Sequence, residues 1–181
     1  MQRVMIIGSP GSGKSTLARK MGEITFLPVV YIDQIHWQSG WVERSREEKA
    51  RLCHEVHMRE RWIFEGGHST TWDERLARAD TLIWLDFNVW RRLARVTWRS
   101  LRYWGQTRPD MAEGCPERLS AEFFGFIWRT RNTARARQRR YFENCPPEKD
   151  KYRFTTVSEI DAYLRDLREA ATRGALGVPH R

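Results

Sequence analysis

The stretch GSPGSGKS, Gly8 to Ser15, limits what this chain can fold into more than any other part of it. It follows the apolar run RVMIIG and leads into Ser15 to Met21, which reads as helix. Gly8, four residues, then Gly13, Lys14 and Ser15 is the complete phosphate-binding P-loop pattern. Glycines let backbone N–H groups curl around an anion without Cβ clashes, and the helix that follows adds the positive end of its dipole. Gly8, Gly11, Ser12, Gly13, Lys14, Ser15 and Thr16 are therefore the expected nucleotide-binding residues. Lys14 would reach the β- and γ-phosphates, and the Ser15 hydroxyl would ligate Mg²⁺.

A strand, a P-loop and a helix at the start of a chain call for a parallel sheet. Four further short apolar runs supply it: Val29 to Asp33, Trp62 to Glu65, Thr81 to Asp86 and Lys151 to Thr156, after a first strand at Arg3 to Gly8. Helical stretches alternate with them, which argues for an α/β fold covered on both faces. Ser45-Arg46-Glu47-Glu48 matches a capping box for a helix from about 46 to 61, and Ser158 and Glu159 open a last helix. The 181 residues suit one domain over 1–172, and the tail from 173 to 181 has nothing to bury and is expected to be loose. No apolar run is long enough to span a bilayer, no secretory segment precedes the first strand, and Cys53, Cys115 and Cys145 show no paired or metal spacing. A cytoplasmic protein with reduced thiols and no membrane partner is expected.

Three strand ends carry chemistry. The carboxyl edge of a parallel sheet is where ligands bind. Asp33, in VVYIDQIHW, could take a proton from a substrate hydroxyl or hold Mg²⁺ through water, with His36 and Trp37 as walls of an acceptor pocket. Glu65, Gly66, Gly67 and His68, in RWIFEGGH, place a carboxylate and two glycines at the end of the third strand, and TLIWLD places Asp86 at the end of the fourth. Only one of Glu65 and Asp86 is needed behind a Ser15-bound Mg²⁺.

Net charge is +9, and residues 91–140 carry all of it: thirteen arginines against four carboxylates. An anionic partner follows. Arg91 or Arg92, then Arg95, Arg99 and Arg102, share one helical face, and Arg131, Arg135 and Arg139 another, continuing the stripe of Phe124 and Trp128. Like charges at that spacing destabilise a helix unless something anionic offsets them, and arginine grips phosphate bidentately. Arg95, Arg131 and Arg135 are expected to converge on the transferred group. Between the two arginine-rich helices, YWGQTRPDMAEGCPERLS has few aliphatic residues and reads as a surface loop, a lid over about 103–119.

GSPGSGKS, YIDQIHW, EGGH and RPDMAEGCPERL together resemble the nucleotide and shikimate kinase superfamily, and within it the adenylate-kinase-like group named DNA topology modulation proteins. The resemblance runs from about Arg3 to Leu167. It implies a three-layer P-loop fold with a five-stranded parallel sheet in the order 2-3-1-4-5, ATP on the P-loop, Mg²⁺, an acceptor site near Asp33 and EGGH, and a closing lid. The adenylate kinase acceptor signature Asp-Gly-Phe-Pro-Arg is absent. The expected function is transfer of the γ-phosphoryl group of ATP to a small-molecule or nucleotide acceptor, with weak nucleic-acid binding. The alternatives are a nucleic-acid-binding ATPase and a nucleotide-binding regulator without turnover.

Overall fold

A computed structural model describes residues 1–174. In β1 (Arg3–Gly8) alternate side chains face opposite ways, and both ways lead into core. Val4 and Ile6 pack with Leu17, Met21, Leu164 and Leu167, while Met5 and Ile7 pack with Cys53, Val56, Trp72 and Leu76. A central strand apolar and buried throughout Val4–Ile7 is what a sheet between two helical layers requires.

The helices fall on the two sides accordingly. α1 (Lys14–Thr25) lies on the first face. It is followed by β2 (Val29–Tyr31), a short α2 (Ile32–His36) and a hairpin of β3 (Trp37–Gln38) and β4 (Val42–Glu43). α3 (Arg46–His57), β5 (Trp62–Glu65), α4 (Trp72–Arg78) and β6 (Thr81–Leu85) come next. α5 (Val89–Arg102), α6 (Ala121–Arg129), α7 (Arg131–Glu143), β7 (Asp150–Phe154) and α8 (Val157–Thr172) complete the described chain. The main sheet runs β2-β5-β1-β6-β7, parallel throughout. Counting its five strands in chain order, this is the expected 2-3-1-4-5. The P-loop thus leaves the middle strand, with β5 and β6 ending on either side of it.

Several boundaries differ from expectation for identifiable reasons. β2 stops at Tyr31, because Ile32 turns inward to pack beneath Gly66 and starts a helical turn, so Asp33 and His36 sit on α2. α3 ends at His57, short of 61. Thr156, not Ser158, caps α8: its hydroxyl accepts from Glu159 N–H at 3.3 Å, and Glu159 returns a carboxylate to Thr156 N–H at 3.2 Å. α6 and α7 are separate helices, broken at Thr130 (φ −91°, ψ 0°), so the stripe of Phe124 and Trp128 does not run on through Arg131, Arg135 and Arg139. Most of the 173–181 tail lies outside the described residues.

Ile83, fully buried in β6 beside Ile6, is expected to lose about 2–5 kcal/mol of stability as Ile83→Ala. Thr156→Ala should lose about 1 kcal/mol through its cap. Urea titration monitored by circular dichroism checks both.

Candidate active site

The P-loop turn is closed by Ser12 N–H donating to Ser9 O at 3.1 Å. Gly11 and Gly13 hold φ of +77° and +96°. A Cβ on Gly11 would lie 2.6 Å from Arg92 O, and one on Gly13 2.5 Å from an Arg95 nitrogen, so the loop is pressed against α5. No side chain caps α1 at Gly13. The first-turn N–H groups are therefore left for an anion. Lys14 Nζ rests 3.5 Å from Ser9 O. From the opposite side, buried Gln138 on α7 donates to Ser9 Oγ at 3.2 Å and accepts from Trp84 Nε1 at 3.2 Å.

Glu65 and Asp86 have the same setting in sequence and opposite settings in space. Glu65 is 2% exposed at the end of β5, and Ser15 Oγ donates to its Oε1 at 3.3 Å. Among the described residues no cation lies within ion-pair distance of it. Burial pushes its carboxyl up to about 7, with Asp33 and Asp110 adding to the rise and Lys14 opposing it. Asp86, equally buried, accepts from Arg135 Nε at 2.6 Å and Nη2 at 3.0 Å, and from Arg153 Nη2 at 2.6 Å. Burial works against its charge, but the two guanidinium groups outweigh it and hold the carboxyl below its ordinary value. Asp86 is thereby saturated, and Glu65 is the carboxylate with lone pairs to spare. Ser15 and Glu65 fit a Mg²⁺ ion of the kind that takes one or two protein oxygens and completes its shell with phosphate and water. Among the described residues no three acids, histidines or cysteines form a closed metal cage.

The residues expected around an acceptor gather beside this pair. Gly66 has φ +125°, and a Cβ there would lie 1.9 Å from Ile32 Cγ2, which is how α2 closes onto β5. Gly66 O accepts from Arg75 Nη1 at 3.2 Å, and Gly67 O accepts from Trp72 Nε1 at 2.6 Å. Arg75 is fully buried, and among the described residues no carboxylate lies within ion-pair distance of it. Its guanidinium lies 3.9 Å over the Phe64 ring, and burial lowers its pKa to about 10. His36 packs edge-on against Trp37 at 4.7 Å and stands 6.4 Å from the His68 ring, while Trp37 meets Trp41 at 5.5 Å. Burial pushes both imidazoles below their ordinary value. Asp33, on α2, is near enough for its charge to act on Glu65 and Arg99.

The 103–119 segment is fastened down by polar groups. Gln34 Nε2 donates to Pro109 O at 2.9 Å, Gly40 N–H to Gly114 O at 2.9 Å, and Trp41 Nε1 to Pro116 O at 3.1 Å. Buried Glu117 receives Arg108 Nε at 2.6 Å and Ser100 Oγ at 2.8 Å, with Arg99 at 3.4 Å, and Arg108 also pairs with Asp110 at 2.7 Å. The sequence led us to expect a loop with little to hold it. The structure corrects this: Met111 and Cys115 are buried, and an ionic cluster with no periodicity holds the rest.

The arginines divide. Arg95 lies against Gly13, and Arg92 Nη1 donates to Pro10 O at 3.3 Å. Arg131 instead stacks 4.2 Å over Trp128 and donates to its carbonyl at 2.7 Å, and Arg135 is held by Asp86. The expected convergence of Arg131 and Arg135 beside Lys14 is thus replaced by two contacts made within the fold, and α5 supplies the arginine at the P-loop. Arg92 is one of the two residues that the helical spacing offers as the start of the arginine face, whereas nothing in the sequence marks the role of Gln138.

No protein-family model matches the chain, and no curated protein matches it. Solved structures do. Shikimate kinase from Acinetobacter baumannii in complex with shikimate superposes with a TM-score of 0.55 at 13% identity, over 96% of this chain and 94% of that one. Shikimate kinase from Bacteroides thetaiotaomicron gives 0.54 at 19%, over 94% and 98%. A gluconokinase from Sinorhizobium meliloti 1021 gives 0.50 at 13%, over 95% and 92%. The fold is that of the P-loop kinases.

Glu65 makes a signed pH prediction. Between an ordinary value of 4.5 and about 7 the folded protein holds a proton that the unfolded chain releases, so ligand-free stability falls as pH rises through that window. Glu65→Gln should remove the slope. At pH 8 the variant is expected to be more stable than the parent by roughly 2–3 kcal/mol, and at pH 4 little changed, as read by urea unfolding at both values.

Proposed function

We propose that the chain is a Mg²⁺-dependent phosphotransferase that moves the γ-phosphoryl group of ATP to an oxygen of a small-molecule or nucleotide acceptor. The observation that carries this reading is the pairing of Ser15 with buried Glu65 beside Lys14, at an uncapped helix N-terminus and next to Arg95. An uncompensated carboxylate there makes sense as half of a divalent-cation site. The fold shared with shikimate kinase and gluconokinase agrees with it.

In this reading the amides of Gly11 to Thr16 cradle the donor phosphates and Lys14 balances their charge. Ser15 and Glu65 hold Mg²⁺, which supplies charge neutralisation at the β- and γ-phosphates. The acceptor lies between α2 and the Glu65-Gly66-Gly67-His68 turn, walled by His36 and Trp37. Asp33 takes the proton from its hydroxyl as that oxygen bonds to the γ-phosphorus and the bond to the β-phosphate oxygen breaks. Arg95 offsets charge on the transferring group. The 103–119 segment, fastened over α2, acts as the lid that keeps water from competing with the acceptor.

Labelled ATP offered with a panel of nucleoside monophosphates, sugars, polyols and hydroxy acids tests this. Transfer to one class is expected. Lys14→Ala and Asp33→Asn should each cut it by about 10²–10³-fold with the fold intact by circular dichroism. ATP hydrolysis stimulated only by DNA, with no transfer, would replace this reading by a nucleic-acid-dependent ATPase. Nucleotide binding without turnover would leave a regulator.

A further inference from the structure

Every tryptophan that the described fold leaves exposed lies in one stretch: Trp90, Trp98, Trp104 and Trp128. On α5 the side chains of Trp90, Trp98 and Leu101 fall within a narrow arc of the helix, on the side away from buried Val96 and Ser100. Trp90 and Trp98 are 66% and 67% exposed. α6 extends this face, since the rings of Trp90 and Trp128 meet at a tilt of 54° with centres 5.1 Å apart. Arg91 and Arg102 border the stripe along one side of α5, and Arg129 stands exposed beside Trp128. Exposed carboxylates across 89–131 are limited to Glu113 and Glu122. A continuous aromatic and aliphatic face with a basic border is not needed by the P-loop and is covered by no described residue.

We propose that this α5–α6 face docks onto an anionic lipid bilayer surface. Tryptophan and leucine enter the headgroup boundary while arginines at their sides meet lipid phosphates, which is the division of labour of an interfacial amphipathic helix. Charge complementarity selects this occupant over a second copy, because each copy brings the same arginine border and a net charge of +9. Spacing selects it over a single-stranded nucleic acid. Trp90 and Trp98 are eight residues apart, about 12 Å along a helix, too far for neighbouring bases, and Leu101 offers a base no ring to stack on. The docking surface and the nucleotide cradle share one helix, since Arg92 and Arg95 reach the P-loop from another side of α5.

The test is co-sedimentation of the full chain with vesicles of phosphatidylcholine alone and with about one-third phosphatidylglycerol, plus tryptophan quenching by bromine-labelled acyl chains. Binding and quenching are expected on the anionic vesicles only, weakening with salt. Trp98→Ser with Leu101→Ser should lower partitioning more than about tenfold, and Arg102→Gln or Arg129→Gln about fivefold each. The double variant should melt as the parent does, because both side chains are exposed. Equal binding to both vesicle types, binding indifferent to these substitutions, no binding to either, displacement by a single-stranded oligonucleotide that shows the same variant pattern, or burial of the face in a dimer by sedimentation velocity would each overturn the proposal.

Discussion

The turn between β1 and α1 can close only if its backbone takes conformations that side chains resist, and the rest of the molecule is arranged around that turn. It leaves the central strand, so the ends of β5 and β6 must flank it. It is pressed against α5 so closely that a methyl group on Gly11 or Gly13 would collide with Arg92 or Arg95. Gln138 ties its Ser9 to Trp84 on the neighbouring strand. A helix start with no cap, held this rigidly, keeps several N–H groups pointed at one place, and backbone held in advance need not reorganise around an incoming phosphate.

The two strands beside the turn end in carboxylates, and the fold treats them differently. Asp86 receives two arginines and becomes a fixed, ionised anchor joining β6, β7 and α7. Glu65 receives a hydroxyl and the distant influence of Lys14, while burial above all, and then two further acids, raise its pKa. Moving one of Asp86's arginines to Glu65 would stabilise the empty protein and fill the position where the proposed Mg²⁺ belongs. The expense of Glu65 in the ligand-free state and its use in the proposed reaction have a single cause.

What could be read from the sequence follows from which interactions leave periodic marks. β1, β5 and β6 were legible as apolar runs, because a strand covered on both sides admits little else, while the edge strand β7 is buried only at Phe154; the P-loop was legible because its glycines are required by geometry. The cluster of Asp33, His36, Trp37, Glu65, Gly66, Gly67 and His68 was legible because all lie at the carboxyl edge of that sheet. The start of α2 was hidden, since Ile32 looks like one more strand residue until it is seen packed against Gly66. The fastening of 103–119 was hidden because Arg108, Glu117, Ser100 and Arg99 meet through tertiary contacts. Choosing between Glu65 and Asp86 needed the same kind of information: Arg135 and Arg153 are 49 and 67 residues away from Asp86 in the chain.

The arginine excess shows most clearly why charge counts need coordinates. Read as one block, residues 91–140 promise a single anionic partner. In space the block separates. Arg92 and Arg95 serve the P-loop, Arg99 and Arg108 hold Glu117, and Arg135 holds Asp86. Their positive charge is committed to the fold or to the nucleotide cradle. Among the described residues Arg91, Arg102 and Arg129 pair with no carboxylate, and they border the exposed tryptophans. A helix like α5 would be unstable alone, with so many like charges along it. It persists because arginines that share one arc of the helix meet different surroundings along its length, Arg92 and Arg95 the P-loop and Arg99 the Glu117 carboxylate, while the tryptophans beside that arc are left to face an anionic surface.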